Sequence, residues 1–199
     1  FEQVAEVVRR INSYGNVHQH LDLIAGLPYE DYESFGKSFD DVYALEPEQL
    51  QLGFLKVLKG SYMYEHAKEY EIAYHSRPPY EVLKTKWLPY DDVLKIRQVE
   101  EMLEVYYNSG QFEVTMKVLG VLFKSAFFLF QDLGKFYEKK GYFGMSHARI
   151  RRSEILLEFV EETFSADTEK ENLQEVQNLC EISDIIKESL IFDLYYREN

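Results

Sequence analysis

The stretch His18-Gln-His-Leu-Asp-Leu-Ile-Ala-Gly-Leu-Pro28 decides the fold. From Leu21 it is a short apolar run containing one acid, and it stops at Gly26-Leu27-Pro28. A run of strand length, ended by Gly and Pro, predicts a strand buried on both faces of a parallel sheet. Amphipathic patterns flank it. Val4, Val7, Val8 and Ile11 mark a helix before it, and Tyr32, Phe35, Phe39 and Val42 mark one after it. Gly26 allows a tight turn or the close approach of a ligand, and Pro28 sets φ where the next helix is expected to begin. Ligands of α/β folds sit at the carboxyl ends of such strands, which directs attention to Gly26-Leu27-Pro28.

A second strand is predicted over Gln49 to Leu58, followed by a short helix capped by Ser61 and running through Glu71. Pro78-Pro79 marks a turn or an extended link, and Tyr80 to Thr85 reads as a strand or an irregular connection. The character changes at Leu88-Pro89. Beyond it, a stripe of Val93, Ile96, Val99, Leu103 and Tyr106 predicts a helix capped by Asp91 or Asp92 and ending at Asn108-Ser109-Gly110. Phe112 to Phe130 reads as one or two buried helices with Gly120 as a break. Ser146 to Phe164 and Thr168 to about Tyr196 are the last helical patterns. The expected fold is therefore α/β over 1–88, with parallel strands near 19–27 and 49–58, followed by an all-α bundle over 89–199.

Asp22-Leu-Ile-Ala-Gly-Leu-Pro-Tyr-Glu-Asp31 resembles a segment late in the barrel of radical S-adenosylmethionine enzymes, D-x-I-x-G-x-P-x-E-[TD]. At the expected distance, Pro47 to Ser61 resembles the next strand of that barrel. Arg77-Pro-Pro-Tyr-Glu-Val-Leu and Val105-Tyr-Tyr-Asn-Ser109 resemble the helical C-terminal domain of certain bacterial cobalamin-binding members, some labelled magnesium-protoporphyrin monomethyl ester oxidative cyclases. The resemblance implies the end of a TIM-type β/α barrel. It places Ile24, Gly26, Leu27 and Pro28 against the adenosyl group, with Leu52 and Phe54 as further pocket residues.

For the whole enzyme the resemblance implies a 4Fe-4S cluster, S-adenosylmethionine and, in one branch, cobalamin. The chemistry would be either hydrogen abstraction or methyl transfer on a small-molecule substrate. Such a cluster needs three thiolates in a Cys-x-x-x-Cys-x-x-Cys loop. This chain has one cysteine, Cys180, so no cofactor is expected in it alone. The chain opens inside a helical pattern and is expected to be the C-terminal piece of a longer enzyme, inactive by itself. Its partner would be the preceding part of the same chain, and an exposed barrel edge would favour self-association.

Two other readings stand beside this one. His18, His20 and Asp22 alternate along a strand and share a face. That face can line a substrate pocket, lie at the surface, or begin the metal site of a redox-independent hydrolase, although no further ligands accompany it. A helical protein-interaction module with a small α/β cap, using its aromatic faces, is the non-catalytic alternative; it predicts no unpaired sheet edge. Glu65, His66 and Glu69 read as an exposed polar face, because adjacent Glu and His do not match the Glu-x-x-His of di-iron bundles.

The net charge of −13 is concentrated late, with 5 basic against 13 acidic residues from Arg151 to Asn199. Such a surface repels phosphate backbones and argues against nucleic acid. The apolar run Val118 to Phe130 is interrupted by Gly120, Lys124 and Ser125, and no stretch is long enough to span a bilayer. One cysteine and no visible signal peptide fit a reducing cytoplasm.

Overall fold

Alternation along the first strand determines which way the sheet faces. In the computed structural model, which describes residues 1–166 and 173–196 (side chains through 164 and from 181), β1 (His20–Ala25) runs parallel to β2 (Gln49–Phe54). The register pairs Leu21 with Leu50, Leu23 with Leu52 and Ala25 with Phe54 on one face, and His20 with Gln49, Asp22 with Gln51 and Ile24 with Gly53 on the other. The first face is buried or half-buried. On the second, His20, Asp22, Gln51 and Ile24 are exposed. The expectation of a strand buried on both faces therefore holds for one face only.

Helix α1 (Glu2–Asn12) precedes β1 and buries Ala5 and Val8, which meet Leu45 and Leu21 in a small satellite core. Helix α2 (Tyr32–Tyr43) connects the two strands and buries Phe35 and Phe39. It begins at Asp31, not at Pro28. The Asp31 carboxylate accepts the Ser34 N–H (2.8 Å) and the Ser34 hydroxyl oxygen accepts the Asp31 N–H (2.9 Å), a reciprocal cap that fixes the start three residues later than the proline suggests. These bonds to Ser34 hold the Asp31 carboxyl below its ordinary pKa.

β2 stops at Phe54, earlier than expected, because the chain there turns to a different partner. Val82 donates to the Leu55 carbonyl (2.8 Å) and Val57 to that of Tyr80 (2.9 Å). Leu58 is left exposed. Ser61 caps α3 (Tyr62–Glu65) as expected, but the helix lasts one turn. Ile72 N–H bonds back to the Ala67 carbonyl (2.8 Å) and Glu71 takes a left-handed φ of 49°, which reverses the chain into β3 (Ala73–Tyr74). β3 pairs antiparallel with β4 (Val82–Lys84). The sequence pattern left β4 open and did not indicate β3, whose two residues carry no periodicity.

The helical part follows Pro89. Helix α4 (Tyr90–Leu103) starts at that proline, with Asp91 and Asp92 in its first turn instead of at its cap. It runs on as a π-helical stretch, Glu104–Asn108. All five residues of the predicted stripe, Val93 to Tyr106, are buried. Helices α5 (Glu113–Leu122) and α6 (Ala126–Lys140) are separated at Phe123 to Ser125, not at Gly120. Ser125 supplies the break by accepting the Phe128 N–H (3.2 Å) as an N-cap. Gly141, at φ 69°, ends α6 in the left-handed conformation typical of helix C-termini.

Helices α7 (Arg149–Ala166) and α8 (Leu173–Tyr196) complete the described chain. The predicted helix start at Thr168 and the Cys180 side chain lie outside the described residues. The fold is thus mixed α/β and about 57% helical, with eight α-helices among the described residues. Buried side chains from Ala25 through Leu190 form one contiguous core, so the strands and the helices after Pro89 are packed as a unit.

Candidate functional site

The loop leaving β1 is held in a conformation that few residues tolerate. Gly26 is buried with φ 90°, and a Cβ there would lie 2.8 Å from Cγ1 of Val82 on β4. The glycine is therefore required by the fold itself, through both its backbone angle and the approach of Val82. Gly26→Ala is expected to cost roughly 2–4 kcal/mol, combining left-handed strain with overpacking; the midpoint of urea unfolding measures it. Leu27 is exposed, Pro28 half-buried, and Tyr29 takes a left-handed φ of 68° with its ring in solvent.

Glu30, next in the loop, is half-buried, and burial raises its carboxyl pKa above 4.5 against the lowering pull of the Ser38 hydroxyl (3.1 Å). A folded pKa above the unfolded one means that ionised Glu30 subtracts from stability at neutral pH. The subtraction fades as pH falls through the folded pKa to the ordinary carboxylate range. Glu30→Gln is thus expected to raise the unfolding midpoint at about pH 7 and to leave it unchanged near pH 3.5.

The exposed sheet face brings together His18, His20, Asp22 and Ile24 from the sequence candidates, with Gln49, Gln51 and Gly53 beside them. The two imidazoles lie edge to face, 4.6 Å between centroids. The nearby Glu48 carboxylate accepts the Gln19 N–H (2.8 Å), and this bond, with smaller contributions from both histidines, keeps it charged below its ordinary pKa. No group of three or more His, Cys, Asp or Glu among the described residues is placed to hold a metal ion.

Leu52 and Phe54 do not join this set. They face the other side of the sheet, buried in the core, because β2 packs that face against α4. There the Arg97 guanidinium lies 4.3 Å above the Phe54 ring and pairs with Glu81. The six pocket residues implied by the family resemblance thus divide between two faces. Ile24 and Leu27 remain on the accessible side, with Pro28 half-buried and Gly26 buried.

The sequence pattern missed a ring cluster at the same end of the sheet. Tyr29 leans on Trp87 (4.6 Å between centroids), Trp87 on Tyr70 (5.8 Å), and Tyr62 stacks on His66 (3.8 Å) and hydrogen-bonds hydroxyl to hydroxyl with Tyr70 (3.1 Å). Tyr62, His66 and Tyr70 recur every four residues, a visible signal. Tyr29 and Trp87 arrive from distant segments and give none.

At Leu50 the outer edge of β2 is closed by a side chain. Asn108 accepts the Leu50 N–H through Oδ1 (3.0 Å) and donates Nδ2–H to the Leu50 carbonyl (2.9 Å), reproducing the two bonds of a neighbouring strand. Tyr107 donates to the Pro47 carbonyl just before it. The outer edge of β1, by contrast, meets no strand among the described residues. A family model described as a protein of unknown function, DUF4080, matches residues 68–199, which include both residues of this clamp. The chain belongs to the DUF4080 family. No curated protein matches it. Tyr70, Trp87, Arg97, Asn108 and Asp193 all fall inside the DUF4080 match, while β1, β2 and the Gly26 loop precede it. The match begins before the boundary expected at Pro89 and takes in β3 and β4.

Proposed function

We propose that this chain supplies the last strands of a β/α barrel, together with its helical DUF4080 domain, to a radical S-adenosylmethionine enzyme acting on a small-molecule substrate. The observation that carries this reading is the bare face of a parallel sheet. Parallel strands are found with both faces covered, yet His20, Asp22, Ile24 and Gln51 stand exposed. Asn108 occupies the outer edge of β2 at Leu50, whereas the outer edge of β1 meets no strand among the described residues, so further parallel strands can join at β1. A barrel completed from that side would turn the bare face into its lumen. The family context agrees, since DUF4080 domains occur at the C-terminus of some radical S-adenosylmethionine proteins.

The residues present fit part of the cofactor set. Ile24, 47% exposed on the open face, and Leu27 beyond it suit an apolar wall for an adenosyl group. His18, His20 and Asp22 then line the pocket as polar groups toward substrate. The chain's thiols do not fit a 4Fe-4S cluster, because Cys180 is the sole cysteine of the sequence. The cluster loop would come from the part of the enzyme that completes the barrel, and no residue here speaks for cobalamin or for a porphyrin. The interaction-module reading predicts a sheet with no free edge, and the edge of β1, which meets no strand among the described residues, weighs against it.

The reading is tested by the coding sequence preceding Phe1. A Cys-x-x-x-Cys-x-x-Cys loop within further β/α repeats is the expected finding. A complete gene product without one would remove the radical enzyme and leave the interaction module.

A further inference from the structure

Beyond the carboxyl ends of β1 and β2, three segments far apart in sequence place five rings side by side: Tyr29 from the β1–α2 loop, Tyr62, His66 and Tyr70 from α3 and the turn after it, and Trp87 ahead of α4. The inner rings are pinned. Tyr70 is 7% exposed, its carbonyl accepts the Lys86 N–H (3.0 Å), and the Trp87 N–H is held by the Thr85 hydroxyl oxygen (3.2 Å). The outer rings are not buried by the fold: Tyr29 is 74% exposed and Tyr62 58%. Tyr29 is presented from a left-handed backbone, a conformation that costs about 1 kcal/mol or more and recurs at ligand sites.

We propose that this cluster is a stacking platform for a planar heteroaromatic ring whose edge carries hydrogen-bond acceptors. The exposed faces of Tyr29 and Tyr62 supply the stacking surface, and the phenol hydroxyls meeting at Tyr70 supply the polar end. The Tyr62 hydroxyl bonds that of Tyr70 (3.1 Å), and this bond, together with burial, raises the Tyr70 phenol pKa above its ordinary range. The Lys86 ammonium, 5.9 Å from the Trp87 ring centroid, adds a cation beside the platform. The surface is built from the DUF4080 domain and the strand-end loop together. It goes beyond the adenosyl reading, which concerns Ile24 on the sheet face and does not involve these rings.

Trp87 is the single tryptophan of the sequence, so its indole N–H gives one resonance that reports on the platform directly. The 199-residue chain is titrated with caffeine, a neutral planar heteroaromatic, and in parallel with cyclohexanol, which is apolar but not planar. A saturable shift of the indole resonance with caffeine, absent with cyclohexanol, is expected. Tyr29→Ala and Tyr62→Ala should each weaken it about tenfold, the usual loss when a stacking ring is removed. Tyr14→Ala, at an exposed tyrosine on the end of α1, and Ile24→Thr should leave it unchanged. Both platform tyrosines are exposed, so their variants are expected to retain the native far-ultraviolet dichroism, which confirms the fold in each titration. A shift that never saturates, one equal with cyclohexanol, or one indifferent to both substitutions would overturn the platform while leaving the adenosyl reading standing. Loss of the caffeine response in Ile24→Thr would also overturn it, by moving the ring to the sheet face.

Discussion

Asn108→Ala is expected to lower the unfolding free energy by about 2–4 kcal/mol, more than its partly exposed position suggests. The cost arises at Leu50. That residue is fully buried, and the substitution leaves both its N–H and its carbonyl without the partners that Asn108 provides at 3.0 and 2.9 Å. Asn108→Asp sharpens the test. At neutral pH a carboxylate can still accept the Leu50 N–H, but it confronts the Leu50 carbonyl with a second acceptor and replaces the bond Asn108 donates to Glu104 (2.7 Å) with repulsion. Protonation restores a donor. The Asp variant should therefore approach wild-type stability at about pH 3.5 and fall away as pH rises through the carboxylate range, whereas the Ala variant shows no such dependence. Urea midpoints at the two pH values decide between these behaviours. An Asn108→Ala change within 0.5 kcal/mol would mean that β2 does not rely on this residue to close its edge.

Asp193→Ala should be at least as damaging, by about 3 kcal/mol. Helix α5 has no capping side chain of its own, because Phe112 occupies its N-cap. The cap comes instead from α8. Oδ1 of Asp193 accepts the Val114 N–H (3.0 Å), and Oδ2 accepts both the Thr115 N–H (2.9 Å) and the Thr115 hydroxyl (2.7 Å). A buried carboxylate at the positive end of a helix, receiving three hydrogen bonds, is a polar tie between α5 and α8. Asp193→Asn keeps one acceptor oxygen and should lose about 1–2 kcal/mol; Thr115→Val removes only the hydroxyl and should lose about 1 kcal/mol. The ordering Ala, Asn, Val is the signature, read from denaturation midpoints with limited proteolysis reporting release of α8. If Thr115→Val proved the most costly of the three, the capping account would be wrong.

Much of this architecture is legible in the sequence. The β1–α2–β2 unit follows from an apolar run ended by Gly26-Leu27-Pro28 and from the spacing of Tyr32, Phe35, Phe39 and Val42, because these signals are local and mutually consistent. The stripe from Val93 to Tyr106 is read correctly for the same reason. The orientation of the sheet is not legible. Alternation separates Leu52 and Phe54 from Gln51 and Gly53 but cannot say which set α4 will cover, so Leu52 and Phe54 were expected in a pocket and lie in the core. Side chains acting across long separations are equally silent: Asn108 serves Leu50, and Asp193 serves Val114 and Thr115. The aromatic platform combines both cases, since the recurrence of Tyr62, His66 and Tyr70 is visible while their meeting with Tyr29 and Trp87 depends on the tertiary fold.

The central claim, that this chain completes the barrel of a radical S-adenosylmethionine enzyme, is tested most directly by 5′-deoxyadenosine formation. The complete gene product is reconstituted with iron and sulfide without oxygen, reduced with dithionite and supplied with S-adenosylmethionine. The account predicts cluster-dependent release of 5′-deoxyadenosine, reduced about tenfold or more by Ile24→Asp, which sets an ionised side chain against the apolar adenosyl wall. A complete protein that assembles no cluster and releases no 5′-deoxyadenosine above the protein-free control would contradict it.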